Sequence, residues 1–289
     1  MDGFLSCSAG CQCLRGQNGL YTIAKKLRDT VWLARDGRQQ PVIVKCVHHF
    51  RLQNERDVLK RFQHHTPFIR PLVDEITEPS DPPAIVLKHL DYHLLNASIS
   101  QRLTSQEIKF VAKGILEALK VLHEYNFVHI DVKPDNILIN YGPGDIRFKD
   151  VQLADCGSTV PADLAYALDG DLIGAPIWRS PEAHLRIRWG TATDIWSFGA
   201  LLITLLYGDN FSLFKPNVPR DHDEYEIKIL QRQCEFFGSF PLVYRELCPH
   251  ETLNVLAEDK EFILKIMKLD PRDRPSAAEL LQDKWFDIK

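Results

Sequence analysis

Apolar and polar residues alternate along the first third of the chain, whereas further on the apolar residues recur every three or four positions. The alternating stretches predict the strands of a small antiparallel sheet, at 21–27, 30–34, 41–47, 68–73 and 84–87. Between the third and fourth strands, apolar Val58, Leu59 and Phe62 share one side of a short predicted helix, 55–62. The pattern therefore predicts a β-rich part followed by a mostly helical part.

A capping box opens the helical part. Thr104 and Glu107 stand three positions apart, the spacing at which each side chain bonds the other's backbone N–H at a helix N-terminus. Apolar residues then follow at three- and four-residue spacing as far as Leu122. The sequence predicts one long helix here. A polar segment, residues 129–138, follows a few positions after it.

Length and charge limit the classes of protein to consider. The chain has 289 residues, of which 45% are hydrophobic, so it can bury a large core as one domain or as two lobes. Its 35 Lys and Arg against 39 Asp and Glu give a net charge of −4, which offers no argument for a nucleic-acid or membrane partner. The longest apolar run in the second half, 200–206, is far shorter than the ~20 residues of a membrane span. A secretion signal is also missing at the N-terminus, so we expect an intracellular protein, cytoplasmic or nuclear.

The seven cysteines are odd in number and scattered, which favours reduced thiols over a disulfide framework. Cys7, Cys11 and Cys13 form a cluster that invites interpretation as a metal or acylation site. A fourth Cys or His at finger-like spacing is absent nearby, so we favour an irregular lead-in over residues 1–20.

The polar segment places a carboxylate, an ammonium and an amide within six positions, between apolar flanks. Asp131 can accept a proton from a hydroxyl, Lys133 can neutralise a transferring phosphoryl group, and Asn136 can hold a metal ion through its amide oxygen. The alternative is a polar surface loop after a helix, which would not require this order of residue types.

This segment resembles the catalytic loop of eukaryotic protein kinases, in the H-x-D-x-K-x-x-N form associated with serine/threonine specificity. Two further stretches resemble the same family. The strand at 41–47 is similar to the V-A-I-K strand, which nominates Lys45 to grip the nucleotide phosphates and Glu55 to pair with it. Asp155-Cys156-Gly157 resembles the D-F-G motif with cysteine in place of phenylalanine, so Asp155 would be the main Mg²⁺ carboxylate. The resemblance covers roughly residues 21 to 286.

The resemblance implies an α+β, two-lobed protein kinase fold over residues 21–289. It comprises a small antiparallel β-rich N-lobe, 21–88, and a larger, mostly helical C-lobe, 89–289, with an ATP cleft between them. The implied cofactors are ATP and Mg²⁺, and the implied partner is a protein that carries the acceptor serine or threonine, bound by a monomer. The residues that the resemblance assigns to the site are Asp131 and Lys133 for catalysis, Asn136 and Asp155 for metal and nucleotide, and Lys45, Glu55, Leu87, Lys88 and Leu90 for the nucleotide.

One branch of the family is more similar than the others. Residues 209–244 are longer than a minimal kinase needs and look like the insert of the CMGC group, which contains cyclin-dependent, Clk-like and SR-protein kinases. The stretch 30–35 points most nearly to SR-protein kinases. This likeness implies arginine/serine-rich substrates, for which the acidic run 221–226 is a candidate dock. The alternative for that run is a solvated acidic loop.

The sequence departs from the family pattern in three places. The glycine-rich loop between the first two strands is missing, either as a natural loss or because the sequence is incomplete. Ile130 stands where the family usually has arginine, and Ala175 where its substrate-binding loop usually has threonine. Because no phosphate receptor is evident, we expect activity that does not wait for phosphorylation of the activation segment. Two hypotheses follow: an active serine/threonine kinase, or a pseudokinase or impaired kinase that works as an interaction module.

Overall fold

The computed structural model describes residues 13–237 and 261–287. Contacts along the chain divide it into two compact units. The first runs to Asp91 and also takes in Ala154–Thr159, and the second holds Tyr92–Leu153 and continues from Val160. The boundary predicted at residue 88 therefore falls slightly early, and the short stretch around Asp155 belongs with the first unit.

The first unit is built on a closed six-stranded antiparallel barrel in the order β1-β2-β3-β4-β6-β5, with β1 paired to β5. Its strands are β1 (Cys13–Gly16), β2 (Leu20–Arg28), β3 (Val31–Arg35), β4 (Pro41–Cys46), β5 (Leu72–Glu78) and β6 (Ala84–Lys88). Alternate residues point inward and form one apolar core, in which Trp32 and Val44 are among the buried side chains. The predicted β-rich part is confirmed, with one strand more than the sequence pattern indicated.

Two predictions about these strands are wrong. The lead-in predicted to be irregular over 1–20 contains β1, which is held by backbone pairing with β2 on one side and β5 on the other. The strand predicted at 68–73 is β5, which starts only at Leu72, opposite Leu87. Pro71 precedes it and has no N–H to donate to a ladder, so the continuous strand does not extend back through residues 68–71.

Helix α1 (Phe50–Phe62) lies between β4 and β5 in the chain. It begins five residues before the predicted start at 55 because His49 caps it, its ring nitrogen accepting the N–H of Arg51. The side chains of Leu52, Val58 and Phe62 are buried along one face. This face fixes the helix, and Glu55 is buried with it.

The second unit is mostly helical, as predicted. Its helices are α2 (Leu94–Ser100), α3 (Ser105–Glu124), α4 (Ala165–Leu168), α5 (Pro181–His184), α6 (Ala192–Tyr207), α7 (Tyr225–Phe237) and α8 (Ala277–Leu280), and residues 261–266 are also helical. Its strands are β7 (Tyr92–His93), β8 (Phe127–Val128), β9 (Ile137–Tyr141), β10 (Phe148–Leu153) and β11 (Val160–Pro161). The capping box of α3 is present as predicted, with Thr104 and Glu107 each bonding the other's backbone N–H. Within the described ranges, no helix is long and apolar enough to cross a membrane.

A buried ion pair ties the second unit together. Arg274 donates to both carboxylate oxygens of Glu182, at 2.6 and 2.8 Å, and the two side chains are 0% and 1% exposed. The same guanidinium also donates to the backbone carbonyls of Lys268, Ala192 and Leu269. The pair therefore links α5, the start of α6 and the segment before α8.

Some predictions lie partly outside the described residues. Cys7 and Cys11 precede the first described residue, and only Cys13 of the N-terminal cluster is described, with an exposed thiol. The expected insert is described up to Phe237.

Candidate active site

Three of the predicted side chains meet in the first unit. The ammonium of Lys45, near the end of the barrel strand β4, lies 2.6 Å from Oε2 of Glu55 and 2.8 Å from Oδ1 of Asp155. Glu55 is buried on α1, whereas the carboxylate of Asp155 is about half exposed, at 49%. One lysine thus bridges a buried carboxylate and an accessible one, and the predicted pairing of Lys45 with Glu55 is confirmed.

The turn that carries Asp155 is held by α1. Asp155 adopts a left-handed backbone, φ +59°, which aspartate tolerates better than most residues. The amide of Asn54, one position before Glu55, donates to the carbonyls of Gly157 and Thr159 at 3.1 and 2.8 Å. The helix that supplies Glu55 therefore also positions the Asp155 turn.

Charge balance in this cluster depends on burial. Burial alone would disfavour the ammonium of Lys45, but the attraction of Glu55 and then Asp155 outweighs it and raises the pKa of Lys45. Burial raises the pKa of Glu55 in spite of the attraction of Lys45. Lys45 is therefore firmly charged, and Glu55 depends on neighbouring cations to remain an anion.

A second cluster lies in the loop between β8 and β9 of the second unit. The ammonium of Lys133 contacts both carboxylate oxygens of Asp131, at 2.9 and 2.7 Å. The amide nitrogen of Asn136 donates to the carbonyl and to Oδ2 of Asp131, at 2.8 and 2.9 Å. These bonds fix the orientation of the Asn136 amide, and its oxygen becomes the atom presented as a hard ligand. The three predicted residues of the loop are brought together.

The backbone of this loop is anchored by Asp194, at the start of α6. Its fully buried carboxylate accepts the N–H groups of His129 and Ile130, at 2.8 and 2.9 Å, and faces the ring of His123 at 3.0 Å. Ile130 has φ +63°, a strained conformation for a β-branched residue. The hydrogen bonds to Asp194 hold Ile130 in this strained conformation, immediately before Asp131.

Ile130 itself packs into an apolar cluster. The cluster includes Ala167 and Ile173, which belong to the activation segment after Asp155, and Trp189. Gly174 lies so close that a Cβ there would be 2.6 Å from the carbonyl oxygen of Ile130. Apolar contacts therefore occupy the position where the family's arginine would bind a phosphate.

The three residues predicted to border a nucleotide differ in what they can offer. Leu87 is buried, at 1% exposure, and Leu90 is buried just beyond the end of β6. The N–H of Lys88 donates to the carbonyl of Pro71, and its carbonyl accepts from Arg70. The backbone of Lys88 is thus engaged within the first unit, and Leu87 is paired with Ile43 on β4 and with Leu72 on β5.

The turn between β2 and β3 is short. Arg28 pairs with Val31 across the hairpin, so the turn has only two residues, Asp29 and Thr30. The two glycines that precede β2, at positions 16 and 19, close the turn between β1 and β2 instead, where the N–H of the first donates to the carbonyl of the second. The predicted absence of a glycine-rich loop is confirmed.

Another set of contacts surrounds the stretch predicted to bind the substrate. Arg179 donates to the carbonyls of Ile173 and Gly174 and forms a 2.7 Å ion pair with Glu226 on α7. His184 also lies 3.0 Å from Glu226, and burial lowers the pKa of this histidine to about 4. Glu226, the last residue of the acidic run, is therefore fixed beside that stretch with its side chain half exposed.

Three of these roles were missed by the sequence analysis: Asn54 as a clamp on the Asp155 turn, Asp194 as the anchor of the catalytic loop, and Arg179 as the link to Glu226. Each acts across a long separation in sequence, such as the 103 residues between Asn54 and Gly157. Only Asp194 could have been found from the sequence, because it is an acidic residue in the first turn of an otherwise apolar helix.

The described side chains would bind Mg²⁺ only together with oxygen atoms from another ligand. Among residues 13–237 and 261–287 there is no group of three His, Cys, Asp or Glu side chains that could hold a metal. Asp155 in the first unit offers a carboxylate and Asn136 in the second offers an amide oxygen, and both are hard ligands of the kind that Mg²⁺ prefers. Mg²⁺ is usually held by few protein ligands plus phosphates, so each residue fits a metal that arrives with a nucleotide.

Comparison with known proteins agrees with these features. Residues 30–286 match the protein kinase domain. The chain is 28% identical to the serine/threonine-protein kinase PAK mbt of Drosophila melanogaster over 265 residues, 87% of this chain and 37% of that protein. It is 28% identical to the DNA damage response protein kinase DUN1 of Saccharomyces cerevisiae over 299 residues, 93% of this chain and 53% of that protein. The curated relatives are longer, and the chain spans from about a fifth to about a half of their length.

A solved structure has a similar fold. The crystal structure of the yeast RNA Pol II CTD kinase CTDK-1 complex contains a chain that matches with a TM-score of 0.75, over 93% of both chains. Sequence identity is 18%, so this likeness supports the fold alone.

Proposed function

The chain belongs to the protein kinase domain family, and we propose that it transfers the γ-phosphoryl group of ATP to serine or threonine side chains of proteins. The observation that carries the proposal is the pair of intact clusters: Lys45 with Glu55 and Asp155, and Asp131 with Lys133 and Asn136. Phosphoryl transfer needs positioning and charge neutralisation more than covalent chemistry from the protein, and these residue types supply both.

Each residue then has a role that its chemistry allows. Asp131 orients the acceptor hydroxyl and takes up its proton, while Lys133 neutralises charge on the phosphoryl oxygens. Lys45, held by Glu55, binds phosphate oxygens. Asp155 and Asn136 would hold Mg²⁺, which when bound neutralises the charge that develops on the phosphates.

The test is phosphate incorporation from labelled Mg²⁺-ATP into casein. Asp131→Asn keeps the shape and removes the base, and we expect a loss of ~10²–10⁴-fold. Asp135→Asn is the matched control, because Asp135 lies in the same loop and is also half-buried. If wild type and Asp131→Asn incorporate the same label above background, the enzyme proposal fails and the interaction module replaces it.

We further propose arginine/serine-rich substrates, in line with the likeness to SR-protein kinases. Support comes from Glu226, which Arg179 fixes beside the carbonyls of Ile173 and Gly174, and from the exposed carboxylates at 221, 223 and 224. Clustered carboxylates attract guanidinium groups and steer basic peptides.

A peptide of arginine/serine repeats should give a higher kcat/KM than the same peptide with alanine for arginine, and the preference should weaken at high salt. Glu226→Gln should reduce the preference, whereas Glu235→Gln, an exposed carboxylate further along α7, should not. Equal kcat/KM for the two peptides would rule out a preference for arginine/serine-rich substrates. The cytoplasmic or nuclear location and the monomeric state remain predictions.

A further inference from the structure

The amide of Asn54 contacts a turn that lies 103 residues later in the chain. Its nitrogen Nδ2 donates to the carbonyl of Gly157 at 3.1 Å and to that of Thr159 at 2.8 Å. An amide nitrogen carries two hydrogen atoms, so these two bonds use the whole donor capacity of the side chain. Asn54 is half-buried on α1, directly before Glu55. Its two bonds therefore tie this helix to the backbone that follows Asp155.

The turn also packs directly on the helix. A Cβ at Gly157 would be 3.0 Å from the carbonyl oxygen of Arg51, so the backbone of the turn lies against α1. Cys156 and Thr159 are fully buried. Asp155 keeps a left-handed backbone, φ +59°, and its carboxylate is 49% exposed. The residues after Asp155 are thus fixed on α1, while the carboxylate itself remains accessible to a ligand.

Lys45 links the same two elements by charge. Its ammonium lies 2.6 Å from the carboxylate of Glu55 on α1 and 2.8 Å from that of Asp155 on the turn. When a nucleotide phosphate binds this ammonium, one positive charge is shared among three anions, and the link through Lys45 weakens. The bonds of Asn54 do not pass through Lys45. They therefore keep the turn on α1 when the ammonium is drawn towards phosphate.

We propose that Asn54 is a positioning residue for Asp155: it keeps the metal carboxylate in place while Lys45 binds phosphate, and thereby strengthens nucleotide binding in the presence of Mg²⁺. The inference rests on the proposed function, and it assigns a further residue to the same site. Asn54 acts through the backbone of the turn and touches neither phosphate nor metal. Without its two bonds the turn is free to relax from the left-handed conformation of Asp155, which moves the carboxylate. Mg²⁺ demands near-ideal geometry from its ligands, so a displaced carboxylate binds it more weakly.

The first experiment compares nucleotide binding with and without metal. The Kd of trinitrophenyl-ATP is measured in Mg²⁺ and in EDTA for wild type and for Asn54→Leu, which keeps the size of the side chain and removes both N–H groups. The Kd in EDTA divided by the Kd in Mg²⁺ gives the contribution of the metal. We expect Asn54→Leu to lower this ratio by up to about tenfold, the order expected for the loss of one or two hydrogen bonds. The Kd in EDTA should stay at the wild-type value.

Two further variants separate positioning from a general loss of stability. In Asp155→Asn the metal carboxylate is gone, so adding Asn54→Leu should not lower the ratio any further. Asn140→Leu is the matched control, because Asn140 is also half-buried and its amide donates to Asp150, but it lies in the second unit and should keep the wild-type ratio.

An equal ratio in wild type and Asn54→Leu would overturn the proposal, and so would a further decrease in the double variant or an equal decrease in Asn140→Leu. Wild type that binds no nucleotide, or binds it no better with Mg²⁺, would count against the proposed function instead.

The second experiment needs neither nucleotide nor metal. Hydrogen exchange of the backbone N–H groups at 156–159 is followed for wild type, Asn54→Leu and Asn140→Leu. The N–H of Thr159 donates to the carbonyl of Cys156, so its exchange reports whether the turn is intact. We expect faster exchange in this stretch for Asn54→Leu alone, with the N–H groups of α1 unchanged. Unaltered exchange at 156–159 would show that the turn holds without Asn54, and it would refute the positioning role whether or not the chain is a kinase.

Discussion

Arg272 and Arg274 stand two residues apart, and each binds a carboxylate through two nitrogens, but the two pairs differ in burial. Arg274 and Glu182 are 0% and 1% exposed, whereas the side chain of Arg272 is 86% exposed against Asp270. Arg274→Met removes the cation and leaves Glu182 buried and unpaired. Breaking a buried pair in this way costs about 3–5 kcal/mol of folding free energy. At ~2–4 °C per kcal/mol for a domain of this size, Tm should fall by roughly 6–20 °C.

The assay is thermal unfolding followed by circular dichroism, with Arg272→Met as the control. Solvent screens the exposed pair, so the control should unfold at the wild-type temperature within the scatter of the measurement. The double variant Glu182→Met with Arg274→Met leaves no unpaired charge, and it should recover part of the loss. Equal Tm decreases for Arg272→Met and Arg274→Met would refute the argument that burial decides the strength of the pair, and so would a double variant no better than Arg274→Met alone.

Three further predictions follow from other parts of the molecule. Because Ile130 holds the activation segment by apolar contacts, phosphatase treatment should leave kcat/KM unchanged, and a loss restored by rephosphorylation within residues 155–182 would contradict this. Because the β2–β3 turn has two residues, inserting a Gly-x-Gly-x-x-Gly turn between Leu27 and Val31 should raise the single-turnover rate of phosphoryl transfer. An unchanged rate would mean that the missing loop is not limiting. Burial opposes ionisation of Glu107, but hydrogen bonds from Arg147 and from the N–H of Thr104 together outweigh it and lower the pKa, so the contribution of Glu107 to stability is present above the unfolded-state pKa and lost as pH falls through the folded-state value. Glu107→Gln should therefore flatten the acid side of the Tm–pH curve, and an unaltered acid slope would show that the pair contributes little.

The sequence predicted best what is encoded locally. Asp131, Lys133 and Asn136 fall within six residues, so their contacts are set by one loop, and the capping box of α3 spans only four positions. Lys45 and Glu55 were found through family likeness, because a strand lysine and a helix glutamate have no spacing code of their own.

Long-range contacts could not be predicted in the same way. Strand β1 is short, and its place in the barrel depends on pairing with β5, some sixty residues later. Arg70 gave no signal either, because it lies in an apolar run that the pattern assigned to a strand, and its bond to the carbonyl of Lys88 spans 18 residues. Such residues become visible only when the chain is folded.

The closure of the barrel by β1 has a practical consequence for shortened forms of the chain. The family match begins at residue 30, after β1 and β2, so a protein cut at that boundary would lack two of the six strands. The outer sides of β3 and β5 would then carry unpaired backbone N–H and C=O groups, which are templates for pairing with strands of other molecules. Strands β1 and β2 thus cover the edges of β5 and β3, and a chain that begins at residue 30 should aggregate where the longer chain stays dispersed.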